Sequence, residues 1–251
     1  MEAKIGFIVQ ARMGSTRLPG KSLMKIGDKE MLLFLIERLE MVKHEKEIVL
    51  ATTTSDLDDY LVKFATQKGL AVFRGSENNV LERFFLCAKK FSFDIIVRIT
   101  ADDPFKDPNV IEKALNIFLE NEFEYVSNTI QPTYPEGIDI EIFSFEALEK
   151  SFNESTKDYE KQHVTPFILD NDALFKSFNF KNEKDYSQFR LTCDYQEDLD
   201  FLNKIYSHLN CNTFTFKDVI DVINKNNILN EKDTFRNEGL LKDKEKENEK
   251  H

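Results

Sequence analysis

Strand-like and helix-like patterns alternate from the N-terminus to about residue 128, and this alternation is the feature that most narrowly limits the fold. Lys4 to Gln10 reads as a buried strand, Glu30 to Lys43 has apolar residues at helical spacing, and Glu47 to Thr52 is a second β-rich run. Ser55 stands where it could cap a helix over Asp56 to Lys68, with Gly69 at the stop. Leu70 to Phe73 follows as a short strand, Asn79 to Phe91 as an amphipathic helix, and Asp94 to Thr100 as the clearest central strand. Pro108 suits the first turn of a helix over Asn109 to Asn121, and Tyr125 to Asn128 returns as a strand. Connections of this length accommodate helical crossovers. The pattern therefore predicts an α/β chain whose mostly parallel sheet is covered on both faces.

Ligands of such sheets bind beyond the carboxyl ends of the strands. Four loops converge there: 11–21, 52–55, 74–78 and 100–104. The first, Ala11-Arg12-Met13-Gly14-Ser15-Thr16-Arg17-Leu18-Pro19-Gly20-Lys21, opposes the charge of the whole. The chain carries a formal charge of -11, yet residues 3–27 hold five basic side chains (Lys4, Arg12, Arg17, Lys21, Lys25) and no acid. This loop is neither a Walker A sequence nor a GxGxxG fingerprint. It still offers glycines for close backbone approach, hydroxyls and three cations, which together suit a bound phosphate chain. An acidic chain is a poor general binder of nucleic acid or anionic membranes, so neither is expected as a partner, and a small nucleotide at this one loop remains compatible with it.

The loop resembles the signature of cytidylyltransferases of the SpsF type, from spore coat polysaccharide biosynthesis, relatives of the CMP-Kdo and CMP-sialate synthetases. Their signature runs AR-x-GSxRLPGK. The blocks ATTTSDLDD, FRGSENNVLERF, VRITADDP, PEGIDIEIF, KQHVTPF and RLTCD follow in the family's order, so the likeness spans roughly residues 4–224. It implies a Rossmann-like nucleotidyltransferase fold, of the nucleotide-diphospho-sugar transferase type. It also implies transfer of CMP from CTP to a small-molecule acceptor, with release of pyrophosphate and a requirement for Mg²⁺ or Mn²⁺. A homodimer is implied by the same resemblance.

Carried over to matching positions, Arg12 and Lys21 would contact the triphosphate, helped by Ser15 and the backbone around Gly14; Arg17 would do so too or form a structural ion pair. The base would be read near Ala11 and Ala51-Thr52-Thr53, with Arg74 beside it or else in a surface salt bridge. Arg12, Lys21 and Asp102 are the catalytic candidates. Asp102 and Asp194 resemble the metal-binding aspartates; the competing readings are a turn cap at Asp102-Asp103-Pro104 and a helix N-cap at Asp194. Mg²⁺ typically takes one or two carboxylates, waters and phosphate oxygens, so two aspartates suffice. Asp103 is not assigned to the metal.

The second half is less regular. Ile138 to Phe143 alternates like a half-exposed strand, which puts Asp139 and Glu141 on one face. Two carboxylates are costly in a core, so that face is expected to meet solvent, a cation or a hydroxylated acceptor. The resemblance favours the acceptor; an amphipathic edge strand is the plainer alternative. His163, in KQHVTPF, is a candidate acceptor contact or a helix brace. Helices are expected over 144–152, 156–170 (perturbed by Pro166) and 197–208, and strands over 175–180 and 189–193.

One cytidylyltransferase domain over 1–230 is expected, with a nucleotide half over about 1–128 and acceptor and dimerisation elements over 129–230. The residues from 231 to 251, rich in Lys, Glu, Asp and Asn, read as a solvated helix or tail, although 236–239 could fold back onto the body. Cys87, Cys193 and Cys211 form no close pair, which suits a reducing cytoplasm. No apolar run approaches the roughly 20 residues of a membrane span. A glycosyltransferase of the same fold, using a nucleotide sugar, is the alternative function. It would release a nucleoside diphosphate or monophosphate instead of pyrophosphate.

Overall fold

The structure, a computed structural model, describes residues 3–209, 211–228 and 238–249. Nine strands are described: β1 (Ile5–Gln10), β2 (Lys25–Ile26), β3 (Lys29–Glu30), β4 (Glu47–Thr53), β5 (Ala71–Gly75), β6 (Ile95–Thr100), β7 (Tyr125–Ser127), β8 (Glu141–Ser144) and β9 (Ser177–Asn179). The α-helices are α1 (Met31–Glu40), α2 (Asp59–Gln67), α3 (Val80–Phe91), α4 (Pro108–Leu119), α5 (Phe145–Glu154), α6 (Asp158–His163), α7 (Pro166–Asp170), α8 (Gln196–Leu209), α9 (Phe216–Asn226) and α10 (Glu238–Asn248). Seven strands form one sheet in the order β5-β4-β1-β6-β8-β7-β9, and β2 and β3 form a small hairpin. β8 runs antiparallel to both neighbours; the other pairings in the large sheet are parallel.

Side-chain alternation builds a layer on each face. Phe7 and Val9 of β1 and Ile95, Val97 and Ile99 of β6 join one apolar cluster with α1, α4, α8 and α9. Ile8 and Ile96 join the other, with α3, α5 and α7. β1 is buried on both sides, as a central parallel strand must be.

Local chemistry sets the helix ends. Asn79 caps α3 by accepting from Glu82 N at 3.0 Å, and Asp107 caps α4 by accepting from Asn109 N at 2.9 Å, with Pro108 in the first turn. Ser55 makes no side-chain cap; a 3₁₀ turn over 56–58 precedes α2, and Gly69, two residues past its end, turns the chain with φ +77°. The single helix expected over 156–170 is two. Pro166 has no N–H to continue the ladder, and Val164 turns to φ +73° with Thr165 N bonded to His163 O at 2.9 Å.

Residues 189–193 do not form the expected strand. Their ladder contact is an isolated bridge between Arg190 and Glu136, made by Glu136 N donating to Phe189 O and Leu191 N to Glu136 O; beyond it Cys193 N turns away to Asp102 O. Nor does the 138–143 run form one strand with two exposed carboxylates. The strand begins at Glu141, which is 8% exposed, while Asp139 lies before it and is half-buried. In the tail, Arg236 and Asn237 lie outside the described residues, as does the rest of 229–237. Beyond them α10 packs against α6, with Lys244 paired to Asp170 at 2.7 Å.

Candidate active site

Lys21 follows Gly20, whose φ of +74° turns the chain out of the basic loop into a 3₁₀ turn. Its ammonium donates to Asp102 Oδ2 at 2.8 Å, Asp194 Oδ1 at 2.9 Å and Cys193 O at 2.9 Å. Asp102 lies just past β6, so this cluster occupies the carboxyl ends of the adjacent strands β1 and β6.

Asp194 reaches the same point from 92 residues further along the chain, and backbone packing explains how. Gly137 has φ +96°, and a Cβ there would stand 2.7 Å from the Leu191 carbonyl carbon. The turn at 135–138 can therefore press against the 189–194 segment, with Leu191 N bonded to Glu136 O at 2.8 Å. Cys193 N then donates to Asp102 O at 2.8 Å, which delivers Asp194 to Lys21. Arg190 holds the second Asp194 oxygen at 3.0 Å and also pairs with Asp198. It is Asp198, fully buried, that accepts from Asp194 N and Tyr195 N at the start of α8, so Asp194 is not the N-cap.

Electrostatics keep the cluster ionised. Burial alone would raise the Asp102 carboxyl; Lys21 more than offsets this and holds it down to about 2. Burial likewise opposes the Lys21 charge, and the carboxylates of Asp102 and Asp194 outweigh it, so its pKa moves upward. Arg17 pairs with Asp194 at 3.4 Å and lies 5.4 Å from the centre of the Tyr195 ring. Arg12 is half exposed, with Glu77 at 3.6 Å. Ser15 Oγ accepts from Leu18 N at 3.4 Å within the loop, and a Cβ added to Gly14 would meet only Glu77 Oε1, at 3.8 Å.

The ends of β1 and β4 meet beside this loop. Ala11 N donates to Ala51 O at 3.4 Å. Asp58, which is 1% exposed, accepts from Met13 N at 2.7 Å, Thr52 Oγ1 at 2.8 Å and Thr53 N at 3.0 Å. Burial disfavours its charge, and these donors overcome that and lower its pKa. Asp58 is the residue that sequence reasoning missed; it stood inside ATTTSDLDD, where nothing local separated it from the neighbouring acids. Arg74 braces the same loop, donating to Thr53 O at 2.8 Å, Ser55 O at 2.8 Å and Asp59 at 2.6 Å.

The remaining candidates lie elsewhere. Glu141 faces the α3/α5 layer, directly across the ladder from Arg98, with which it pairs. Tyr125 OH donates to it at 2.7 Å and Thr165 Oγ1 at 2.6 Å, so its carboxylate is consumed inside the body instead of facing an acceptor. His163 ends α6 and meets Asp243 of α10 at 3.1 Å; burial lowers its pKa. Asp139 O accepts from Lys106, whose ammonium also holds Asp103 at 2.9 Å. Asp103 is thereby accounted for as a structural partner of Lys106 and Thr100.

Comparison with known proteins finds relatives in both sequence and fold. The spore coat polysaccharide biosynthesis protein SpsF of Bacillus subtilis is 32% identical over 80% of this chain and 85% of its own length. A solved cytidylyltransferase from Leptospira borgpetersenii is 38% identical and superposes with a TM-score of 0.89, covering 94% of this chain and all of that one. A CMP:2-keto-3-deoxy-manno-octonic acid synthetase solved with CTP shares the fold at 17% identity, with a TM-score of 0.63 over 82% of this chain and all of its own. The profile of one family, described as cytidylyltransferase, matches residues 6–235, and the chain belongs to that family.

Proposed function

We propose that the protein transfers CMP from CTP to a sugar, a sugar acid or a related surface-polysaccharide precursor, and releases pyrophosphate. The observation that carries this reading is the Lys21–Asp102–Asp194 cluster at the ends of β1 and β6, beside the basic loop. In this reading Arg12 and Lys21 bind the triphosphate and neutralise charge growing on the leaving pyrophosphate, and Arg17 supports them from beside Asp194. Ala11 and 51–53 line the base side, held in place by Asp58. Asp139 and His163 stand on the acceptor side, whereas Glu141 braces it from within.

A divalent ion fits the donor set if it arrives with the nucleotide. Asp102 and Asp194 offer hard oxygens, and no group of three or more His, Cys, Asp or Glu suited to a metal occurs among the described residues. Phosphate oxygens and water would complete the coordination of Mg²⁺ or Mn²⁺. Such an ion would supply positive charge to the phosphate oxygens during displacement at the α-phosphorus. Until it arrives, Lys21 fills the countercharge role between the two carboxylates.

The test is a pyrophosphate-release screen of four nucleoside triphosphates against sugar acids and sugar phosphates, with Mg²⁺. CTP alone should release pyrophosphate, and only with a matching acceptor. Release of a nucleoside diphosphate from a nucleotide sugar, without pyrophosphate from CTP, would overturn the reading. No described helix is long and apolar enough to cross a membrane. The same reading makes the protein a cytoplasmic homodimer, which sedimentation of the purified chain would test.

A further inference from the structure

Two arginines are buried in this protein without a carboxylate within ion-pair distance among the described residues, and they differ in kind. Arg38 is fully buried, and its Nε, Nη1 and Nη2 donate to Lys106 O at 2.8 Å, Asn212 O at 2.7 Å and Phe214 O at 2.9 Å. It is a satisfied structural arginine. Arg83, only 3% exposed, donates from Nη1 to Ser76 O, and its Nε is enclosed with no partner. Burial pushes its pKa down to about 10; Arg12 adds repulsion, and Asp58 and Glu77 offset part of it.

Placing a guanidinium in such surroundings is costly unless something completes it. The side chain runs from the first turn of α3 under Gly75, where a Cβ would come 3.0 Å from Arg83 Cγ. Arg83 thus sits at the carboxyl end of β5, on the Asp58 side of the basic loop. The Lys21–Asp102 cluster lies between β1 and β6, about two and a half strand spacings or roughly 12 Å away. A nucleotide whose reacting phosphate lies at that cluster would therefore present its base towards β4 and β5. There Arg74 has its donors committed to Thr53, Ser55 and Asp59, while Arg83 has donors left over.

We propose that Arg83 is a binding residue for the nucleotide base, donating to the acceptor edge of the pyrimidine. Cytosine offers adjacent O2 and N3 acceptors, whereas uracil places an N–H beside its O2, so a guanidinium there favours cytosine. This inference rests on the cytidylyltransferase reading above and adds a base-reading residue to it.

The experiment compares wild type with Arg83→Met and Arg83→Gln, measuring the melting temperature without ligand and the affinities for CTP, CMP and pyrophosphate by calorimetry. Loss of the contact should weaken CTP and CMP alike by about 10- to 100-fold. Pyrophosphate affinity should stay within twofold. The ligand-free melting temperature should not fall, because removing an uncompensated buried charge relieves the apo protein. A lower melting temperature would mark Arg83 as a structural brace and overturn the inference. So would an unchanged CMP affinity, or a parallel loss for pyrophosphate, which would place Arg83 on the phosphates. If wild type itself bound no CTP, the functional reading would fall and this inference with it.

Discussion

The protein holds two clusters in which a cation is paired with carboxylate, at different places on one sheet. Lys21, Asp102 and Asp194 sit past the ends of two parallel strands, where the Asp102 side chain keeps 30% of its exposure. Arg98, Glu141, Tyr125 and Thr165 sit where antiparallel β8 closes against β6 and β7, under a helical layer, and the Glu141 side chain keeps 10%. In the first, the cluster lies past the strand ends beside the half-exposed Arg12 and Arg17. In the second, ladder pairing aligns Arg98 with Glu141 and α6–α7 seals the pair. Residue type does not separate the open cluster from the enclosed one here; position along the strand does.

That contrast can be broken most severely at Asp102. Asp102→Ala should lower turnover at least about 10²- to 10³-fold, while Lys21 keeps Asp194 as a partner, so the loss of stability should be smaller than that of breaking the Arg98–Glu141 pair. Pyrophosphate release and thermal melting measure the two effects; full turnover in this variant sinks the assignment. Glu141→Ala should do the reverse. It leaves Arg98 buried and unpaired, so stability should fall by about 3–5 kcal/mol, and turnover per folded molecule should change far less. Urea denaturation checks the first part. A variant as stable as wild type would show that the pair is dispensable.

Asp58 tests a residue between these extremes. Asp58→Ala removes the acceptor for Met13 N and the Thr52–Thr53 end of β4, so about 2–3 kcal/mol of stability should be lost. The Michaelis constant for CTP should rise as the base side loosens, with the acceptor constant held. Equal rises in both constants would argue against a role confined to the nucleotide half.

The smallest effect is a pH dependence. Asp102 has a folded pKa of about 2, below the unfolded value of roughly 3.9. Its stabilising contribution is therefore complete above the unfolded value and is lost as pH falls through the folded one. Melting temperature should show no Asp102 titration between pH 5 and 9. Lys21→Met removes the cation that depresses it, so the acid limb should move to higher pH. An unmoved limb would mean that another group controls it.

Much of this was legible in the sequence because it is local. The βα alternation placed β1, β4, β5, β6 and β7, and the charge island marked the loop that carries Lys21. Asp102 followed from its place after the central strand together with the family blocks. What sequence pattern could not show depends on distant pairing. Glu141 looked exposed because its neighbours alternate, yet burial was decided by Arg98, 43 positions earlier. The 189–193 run has strand composition, but its donors went to Glu136 and Asp102. The motif order implied a place for Arg74 beside the base, and only contacts reveal that its donors are committed to Thr53, Ser55 and Asp59. β2–β3 and α9 carried patterns too short, or too far from the recognised blocks, to stand out.

The span of Lys21's contacts has a consequence for how the molecule is made. Its partners lie 81 and 173 residues downstream, so during synthesis the basic loop emerges long before either carboxylate exists. Assembly of the Lys21 cluster must wait for a loop closure of 173 residues, after most of the sheet can already have paired. A refolding chain should thus regain its sheet before it regains nucleotide binding. Stopped-flow circular dichroism set beside recovery of CTP binding would reveal that lag.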